Sequence, residues 1–243
     1  MISKKISSWL DKFHDLSWFA LLLIGLVACE KNNEASANKA LIAVTNTSPN
    51  AQPFNVLLGG INLTSSGKLG YGITTGSQGN PYLQGVAGVS NFQALPDSGG
   101  PYVNGNVNLL VNKNYSVFVF DTVQSGQLKS LLLQDNLTAP PVSNSGIRFL
   151  NFSYDTVGLV PIIGTDTLGI YSLPYAGTIQ NPSSASGFQN FLSGPYQFLI
   201  IIGTYIVGID SLNLSSGKNY TLYSQGDINS LTTPLTLQLI QHN

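Results

Sequence analysis

Charge is what this 243-residue sequence has least of: 9% of its residues are Asp, Glu, Lys or Arg, and its formal net charge is -1. A globular domain typically carries about 25% charged residues. With no basic excess there is no electrostatic footprint for nucleic acid, and that class of partner is excluded. A mean hydropathy of +0.15 favours collapse over disorder, and the length suits one or two domains with real cores. Reactive side chains are equally scarce. The chain has one Cys, one Met, two Trp and two His, and of these only Cys29 and His242 lie beyond residue 28. Any nucleophile-imidazole pair would rest on His242, which reads as a frayed residue beside the C-terminus. There is no Cys or His cluster and no Asp-x-Asp-x-Asp loop, so neither a metal nor another cofactor is expected. Seven aspartates follow Ala40 (Asp97, Asp121, Asp135, Asp155, Asp166, Asp210 and Asp227), none within four residues of another. An Asp-dependent hydrolase is therefore the remotest alternative, and the expectation is a protein that is not an enzyme.

What is present at the N-terminus is a targeting signal. Lys4, Lys5 and Lys12 precede an apolar run from Trp18 to Ala28, which at 1.5 Å per residue spans roughly 16 Å and falls short of the ~30 Å hydrocarbon core. Residues 1–28 read as a signal peptide. Leu26-Val27-Ala28-Cys29 resembles the bacterial lipobox, which implies cleavage before Cys29 and lipidation of its thiol. Residues 29–39 read as a flexible tether, and the membrane, reached through that lipid, is the first expected partner. The resemblance implies the bacterial outer membrane, with the cell surface favoured over the periplasmic face.

The remainder reads as two copies of one unit. Leu41 to Asn46 matches Ile147 to Phe152 at an offset of 106, Lys113 to Phe118 matches Lys218 to Tyr223 at 105, and Leu133-Gln134 matches Leu237-Gln238 at 104. These offsets place one domain over 40–137, a linker over 138–145 around Pro140-Pro141, and a second domain over 146–243. Each is built of short apolar segments rich in Val, Ile, Leu, Tyr and Phe between Gly, Asn, Ser and Pro clusters, which is a strand pattern. Phe198–Ile202 and Tyr205–Ile209 read as a hairpin around Gly203-Thr204, and Val107–Val111 with Tyr115–Phe120 as another around Asn112-Lys113-Asn114. The expected fold is all-β: two tandem antiparallel β-sandwich domains, immunoglobulin-like or transthyretin-like, after a lipoprotein signal peptide.

Val44-Thr45-Asn46-Thr47-Ser48-Pro49 followed by Pro53 to Gly60, Ser193-Gly194-Pro195-Tyr196, and Gly217-Lys218-Asn219-Tyr220-Thr221 together resemble the bacterial domain-of-unknown-function family 4397. The second unit carries the last of these motifs more fully, because the first lacks the glycine before Lys113. These are turn and strand residues. The resemblance implies a fold and a surface-lipoprotein setting, and it supplies no active site.

Two sets of residues remain as candidates. Asp121-Thr122-Val123, Asp155-Thr156-Val157, Asp166-Thr167-Leu168 and Asp210-Ser211-Leu212 share an Asp-hydroxyl-aliphatic pattern that resembles a bacterial O-glycosylation acceptor, with Thr122, Thr156, Thr167 and Ser211 as acceptors. The alternative is that each Asp ends a turn and each hydroxyl residue begins a strand. The glycine-rich stretch from Thr64 to Gly85, with Tyr71 and Tyr82, and its counterpart from Tyr171 to Gly187, with Tyr171 and Tyr175, are long loops of the kind that carry binding sites. A non-catalytic binding or adhesion module for a glycan or protein partner expects these tyrosines exposed. A structural spacer without a ligand expects them buried, and a hydrolase requires aspartates converging in a cleft.

Overall fold

The computed structural model describes residues 38–154, 157–163, 165–169 and 171–243. Segment 1–28, Cys29, Thr156 and all of the tether but its last two residues lie outside the described residues. Lys39 already belongs to the first strand.

The first half contributes β1 (Lys39–Asn46), β2 (Phe54–Leu58), β3 (Ile61–Asn62), β4 (Leu83–Val86), β5 (Gly88–Pro96), β6 (Val103–Leu109), β7 (Asn114–Gln124) and β8 (Gln127–Asp135). They form two four-stranded sheets, ordered β4-β1-β7-β8 and β3-β2-β5-β6. The second half contributes β9 (Asn144–Asn151), β10 (Val157–Ile163), β11 (Asp166–Thr167), β12 (Tyr171–Leu173), β13 (Gln189–Leu192), β14 (Gly194–Ile202), β15 (Tyr205–Leu214), β16 (Asn219–Gln225) and β17 (Thr236–Gln241). Its sheets, β13-β9-β16-β17 and β11-β10-β14-β15, repeat the same order, with β12 added beside β10. The sheets are antiparallel except that β1 runs parallel to β7 and β9 parallel to β16. An immunoglobulin domain keeps its first two strands together in one sheet, whereas here β1 and β2 lie in different sheets. That separates the arrangement from the immunoglobulin-like topology, one of the two the sequence leaves open.

The duplicated motifs prove to be corner devices. Asn46 and Asn151 each end a strand, and their side-chain carbonyls accept the amides of Ser48 and Ser153 at 3.0 and 2.8 Å, turning the chain out of the sheet. The hydroxyl of Tyr115 accepts the Leu110 amide at 2.9 Å, and that of Tyr220 accepts the Ser215 amide at 3.0 Å. These are tyrosine corners, in which a side chain pins the crossover between two sheets. The hairpin expected around Asn112-Lys113-Asn114 is accordingly not formed. β6 pairs with β5 in one sheet and β7 with β1 and β8 in the other, so alternation correctly marks the two segments as strands but cannot say that the turn between them changes sheets. The Lys-Asn-Tyr signature of the second half makes the same crossover. The hairpin at Gly203-Thr204 does form, with Ile202 opposite Tyr205 and Gly203 at φ +60°, a conformation that favours glycine.

Lys39–Asn243 is one compact unit. Each half has its own sandwich core, as the burial of Ile42, Val44, Tyr115 and Val117 against Phe54, Val56 and Phe92 shows for the first. The second core gathers Ile147, Tyr220 and Leu222 with Leu159, Phe198 and Ile200. Residues of alternate register on β7, β8, β9, β16 and β17, with Phe152 just after β9, fill a third core between the halves: Phe118, Phe120, Leu131, Leu133, Leu150, Phe152, Tyr223 and Ile240. Phe118 stacks on Phe152 with centroids 4.7 Å apart, and Tyr223 packs edge-on to both rings at 5.8 Å. Aromatic pairs of this kind add about 0.5–1.5 kcal/mol each beyond the burial of their surface. The two sheets that face each other are thus covered on both sides.

Candidate functional site

Two polar constellations stand out from this apolar frame. The first lies inside the third core. Asp135 at the end of β8 and Arg148 on β9 form an ion pair at 2.6 Å with side chains 0% and 1% exposed. Ser116 donates to Asp135 at 2.7 Å and Tyr82 at 2.8 Å, while Arg148 donates to the hydroxyls of Ser116 and Thr221. His242 bridges the remaining groups, its Nε2 2.7 Å from the Thr221 hydroxyl and its Nδ1 2.8 Å from that of Tyr82. One proton assignment satisfies every group: Thr221 donates to Nε2, Nδ1–H donates to Tyr82, and Tyr82 donates to Asp135. Burial pushes the His242 imidazole down to about 4, a shift the Asp135 carboxylate opposes and the Arg148 guanidinium reinforces. Burial works against the Asp135 charge, but Arg148 and the hydrogen bonds around it hold the carboxyl below its usual range.

The order Thr221, His242, Tyr82, Asp135 has the connectivity of a nucleophile, a base and an orienting acid. Thr221 is 0% and His242 2% exposed, and the Thr221 oxygen already accepts two bonds from Arg148, so a substrate has no approach to it. The network pairs buried polar groups across the junction. His242 is not frayed, since its amide also donates to the Asn219 carbonyl at 2.9 Å.

The second constellation is at the surface, where the rim of the third core meets solvent. Asp121 sits in an irregularity of β7 between Phe120 and Gln124, at φ +86°. A side chain other than glycine is held there only by its surroundings. Those are the Lys129 ammonium at 2.8 Å, the Thr122 amide at 2.8 Å and the Tyr154 hydroxyl. Partial burial opposes the charge, yet the bonds from Lys129, Tyr154 and Thr122 bring Asp121 down to about 2, well below the usual carboxylate range. Tyr154 comes from the second half and is also bonded to the Thr122 hydroxyl at 2.9 Å. Tyr154 is 47% exposed, and its ring leans on Tyr175 at a centroid distance of 5.2 Å. Asp121, Thr122, Lys129 and Tyr154, together with Gln124, Gln127 and Leu128, line an open cleft of about 390 Å³.

The first-half copies of the turn and corner motifs fall inside a family match. Residues 40–159 match the family described as domain of unknown function (DUF4397). No curated protein matches the chain. The DUF4397 match spans the first half and runs on through β9 into β10, so the fuller motif of the second half, Gly217 to Thr221, lies outside it. Every residue that lines the cleft falls within the match, whereas Thr221 and His242 of the buried network do not.

Outside the DUF4397 motifs, the four tyrosines expected as ligand contacts are half-buried packing groups. Tyr82 belongs to the buried network. Tyr71 has a hydroxyl without a partner among the described residues, and burial pushes it up to about 12. Tyr171 stacks on Phe149 at 5.1 Å, and Tyr175 meets Phe120 edge-on at 5.9 Å. The glycine-rich loops are not free surfaces either. Gln78 bonds the Leu239 carbonyl and the Gln241 amide, and the Gly79 amide bonds the Gln241 carbonyl. Gly79 is at φ +78°, where a Cβ would come 3.0 Å from the side-chain Nε2 of Gln241. In the opposite direction, Ala176 packs into the third core and the Tyr175 ring lies under the Lys129 ammonium of the first half at 5.4 Å. Each long loop is a strap that grips the other half.

Of the acceptor-like positions, Thr167 in β11 and Ser211 in β15 are exposed, while Thr122 is half-buried and held by Tyr154. All three lie within strands, so the expectation that each hydroxyl begins a strand after a turn does not describe Ser211 or Thr122. Tyr154 escaped the sequence reading, because nothing local connects it to Asp121, 33 residues earlier.

Proposed function

We propose that this chain is a lipid-anchored protein of the bacterial cell envelope that acts as a non-catalytic binding or adhesion module, with the junction cleft as its contact surface. The observation that carries the reading is the exposed Tyr154, held over Asp121, Thr122 and Lys129 in a rigid frame built from both halves. A preorganised site of this kind loses little freedom on binding. The lipobox-like Leu26-Val27-Ala28-Cys29 supports the anchor, and the scarcity of charge beyond Ala40 suits a protein held at a surface. Half-burial of Tyr71, Tyr82, Tyr171 and Tyr175 supports the alternative, a spacer without a ligand, whereas the exposed Tyr154 beside the cleft supports the binding reading.

Fractionation of cells tests the anchor: Cys29→Ala is expected to appear unprocessed or soluble, because one lost acyl chain pair removes the membrane affinity. Protease treatment of intact cells then decides the leaflet. Surface-displayed wild type is expected to retain envelope glycans or proteins that cells displaying Tyr154→Ala do not, and equal retention by both overturns the assignment of the cleft.

The same reading extends to modification. Exposed Thr167 and Ser211 are the acceptor-like positions best placed to carry glycans, which would supply solvation that five cationic and seven acidic side chains over residues 41–243 do not. Delipidated protein from its own host is expected to exceed the polypeptide mass, with the excess falling stepwise in Thr167→Ala and Ser211→Ala. A native mass equal to that of the polypeptide leaves these motifs as strand residues only.

A further inference from the structure

The chemistry of the cleft narrows the kind of ligand it would take, an inference that rests on the binding-module reading above. Its fixed charges are one carboxylate and one ammonium, Asp121 and Lys129, already paired with each other at 2.8 Å. A charged ligand would have to break that pair or go unmatched. The apolar part of the lining is small: Leu128 is half-buried and packed on the first core, so a partner protein's aromatic or aliphatic anchor finds no pocket to fill. What the cleft does present is a dense set of groups that both donate and accept, the Gln124 and Gln127 amides and the Thr122 hydroxyl, beside the rim of the Asp121 carboxylate. Beside them stands Tyr154, a residue with nearly half its surface in solvent, its hydroxyl fixed by Asp121 and Thr122 and its ring backed by Tyr175.

A pyranose ring has matching chemistry. Its vicinal hydroxyls each donate and accept, it carries no charge, and its C–H face is the apolar surface that lies against an aromatic ring. An open cleft of about 390 Å³ admits one or two such rings while leaving the chain free to continue on either side. We propose that the Asp121, Thr122, Gln124, Lys129 and Tyr154 cleft binds a neutral saccharide chain, with a sugar ring stacked on Tyr154 and its hydroxyls bonded to Asp121 and the glutamines. The strained backbone of Asp121 fits this assignment, because it turns the carboxylate towards Lys129 and Tyr154 at a place where an ordinary strand would point it elsewhere.

The test is titration calorimetry of the full-length protein in mild detergent against neutral hexasaccharides of glucose, mannose and xylose, with hexagalacturonate and a random peptide pool as charged and protein-like probes. Binding of at least one neutral hexasaccharide is expected, weakened about tenfold by Tyr154→Ala. Gln124→Ala alters only an exposed rim side chain and is expected to weaken it about threefold, so the result does not hang on how well the tyrosine variant folds. Absence of Tyr154-dependent binding to all three neutral probes overturns the saccharide assignment. If hexagalacturonate or the peptide pool binds in a Tyr154-dependent way instead, the saccharide inference falls while the binding-module reading stands. If no probe is sensitive to either substitution, both fall.

Discussion

Arg148→Ala is expected to destabilise the protein by about 3–5 kcal/mol, the cost of leaving a buried carboxylate without its partner. Asp135 and Arg148 are shielded from water, and truncating the arginine also strips donors from Thr221 and Ser116. Asp135→Ala is expected to cost a similar amount for the reciprocal reason. The Asp135→Leu, Arg148→Met pair should recover much of the loss, because two apolar groups carry no desolvation penalty. Recovery stays incomplete, since Tyr82 and Ser116 then have no acceptor. Urea unfolding of the four proteins, with stability taken from the midpoint and slope, checks this. A loss below about 1 kcal/mol for both single variants would mean that water reaches the pair.

Acid is expected to weaken the fold through His242. In the unfolded chain this imidazole takes up its proton near pH 6.5, whereas in the folded protein burial holds it to about 4. Between those values the unfolded state binds the extra proton, so stability is full above pH 6.5 and declines as the pH falls to 4, by about 3 kcal/mol in all. Asp135 and Arg148 are the charged groups that act on the ring, and Tyr82 bonds it directly. Asp135 adds its own loss at lower pH, because its carboxyl is depressed in the folded state and its stabilisation disappears as it protonates. His242→Gln keeps an acceptor and a donor at the site and is expected to flatten the profile between pH 6.5 and 4. An unchanged profile in that variant would assign the acid sensitivity to other groups.

Much of the architecture is legible in the sequence. Alternation and turn chemistry locate strands, and the Lys-Asn-Tyr and Asn-x-Ser repeats sit at equivalent corners of the two halves. The way the halves embrace is harder to read. A period of two says which residues share a face and not what covers it. Arg148, between Ile147 and Phe149, reads as a solvent-facing residue in an isolated sandwich and is among the most deeply buried side chains here. A signal was nonetheless available in the run Tyr115 to Phe120, buried throughout. A strand with almost no polar alternation is one covered on both faces. The cleft was illegible for a different reason: its residues come from β7, β8 and the turn after β9, and only the packing of the third core brings them together.

The position of β1 has a mechanical consequence. It is the first strand of the fold, yet it lies inside its sheet, with β4 on one side and β7 on the other. Tension arriving through the residues ahead of Lys39 therefore pulls along the strand against two ladders at once. The contacts from Leu41↔Asn114 to Asn46↔Val119 are loaded together in shear, instead of parting one after another as they would if an edge strand were peeled away. A protein tethered at that end and gripping a ligand elsewhere would carry load through its strongest direction.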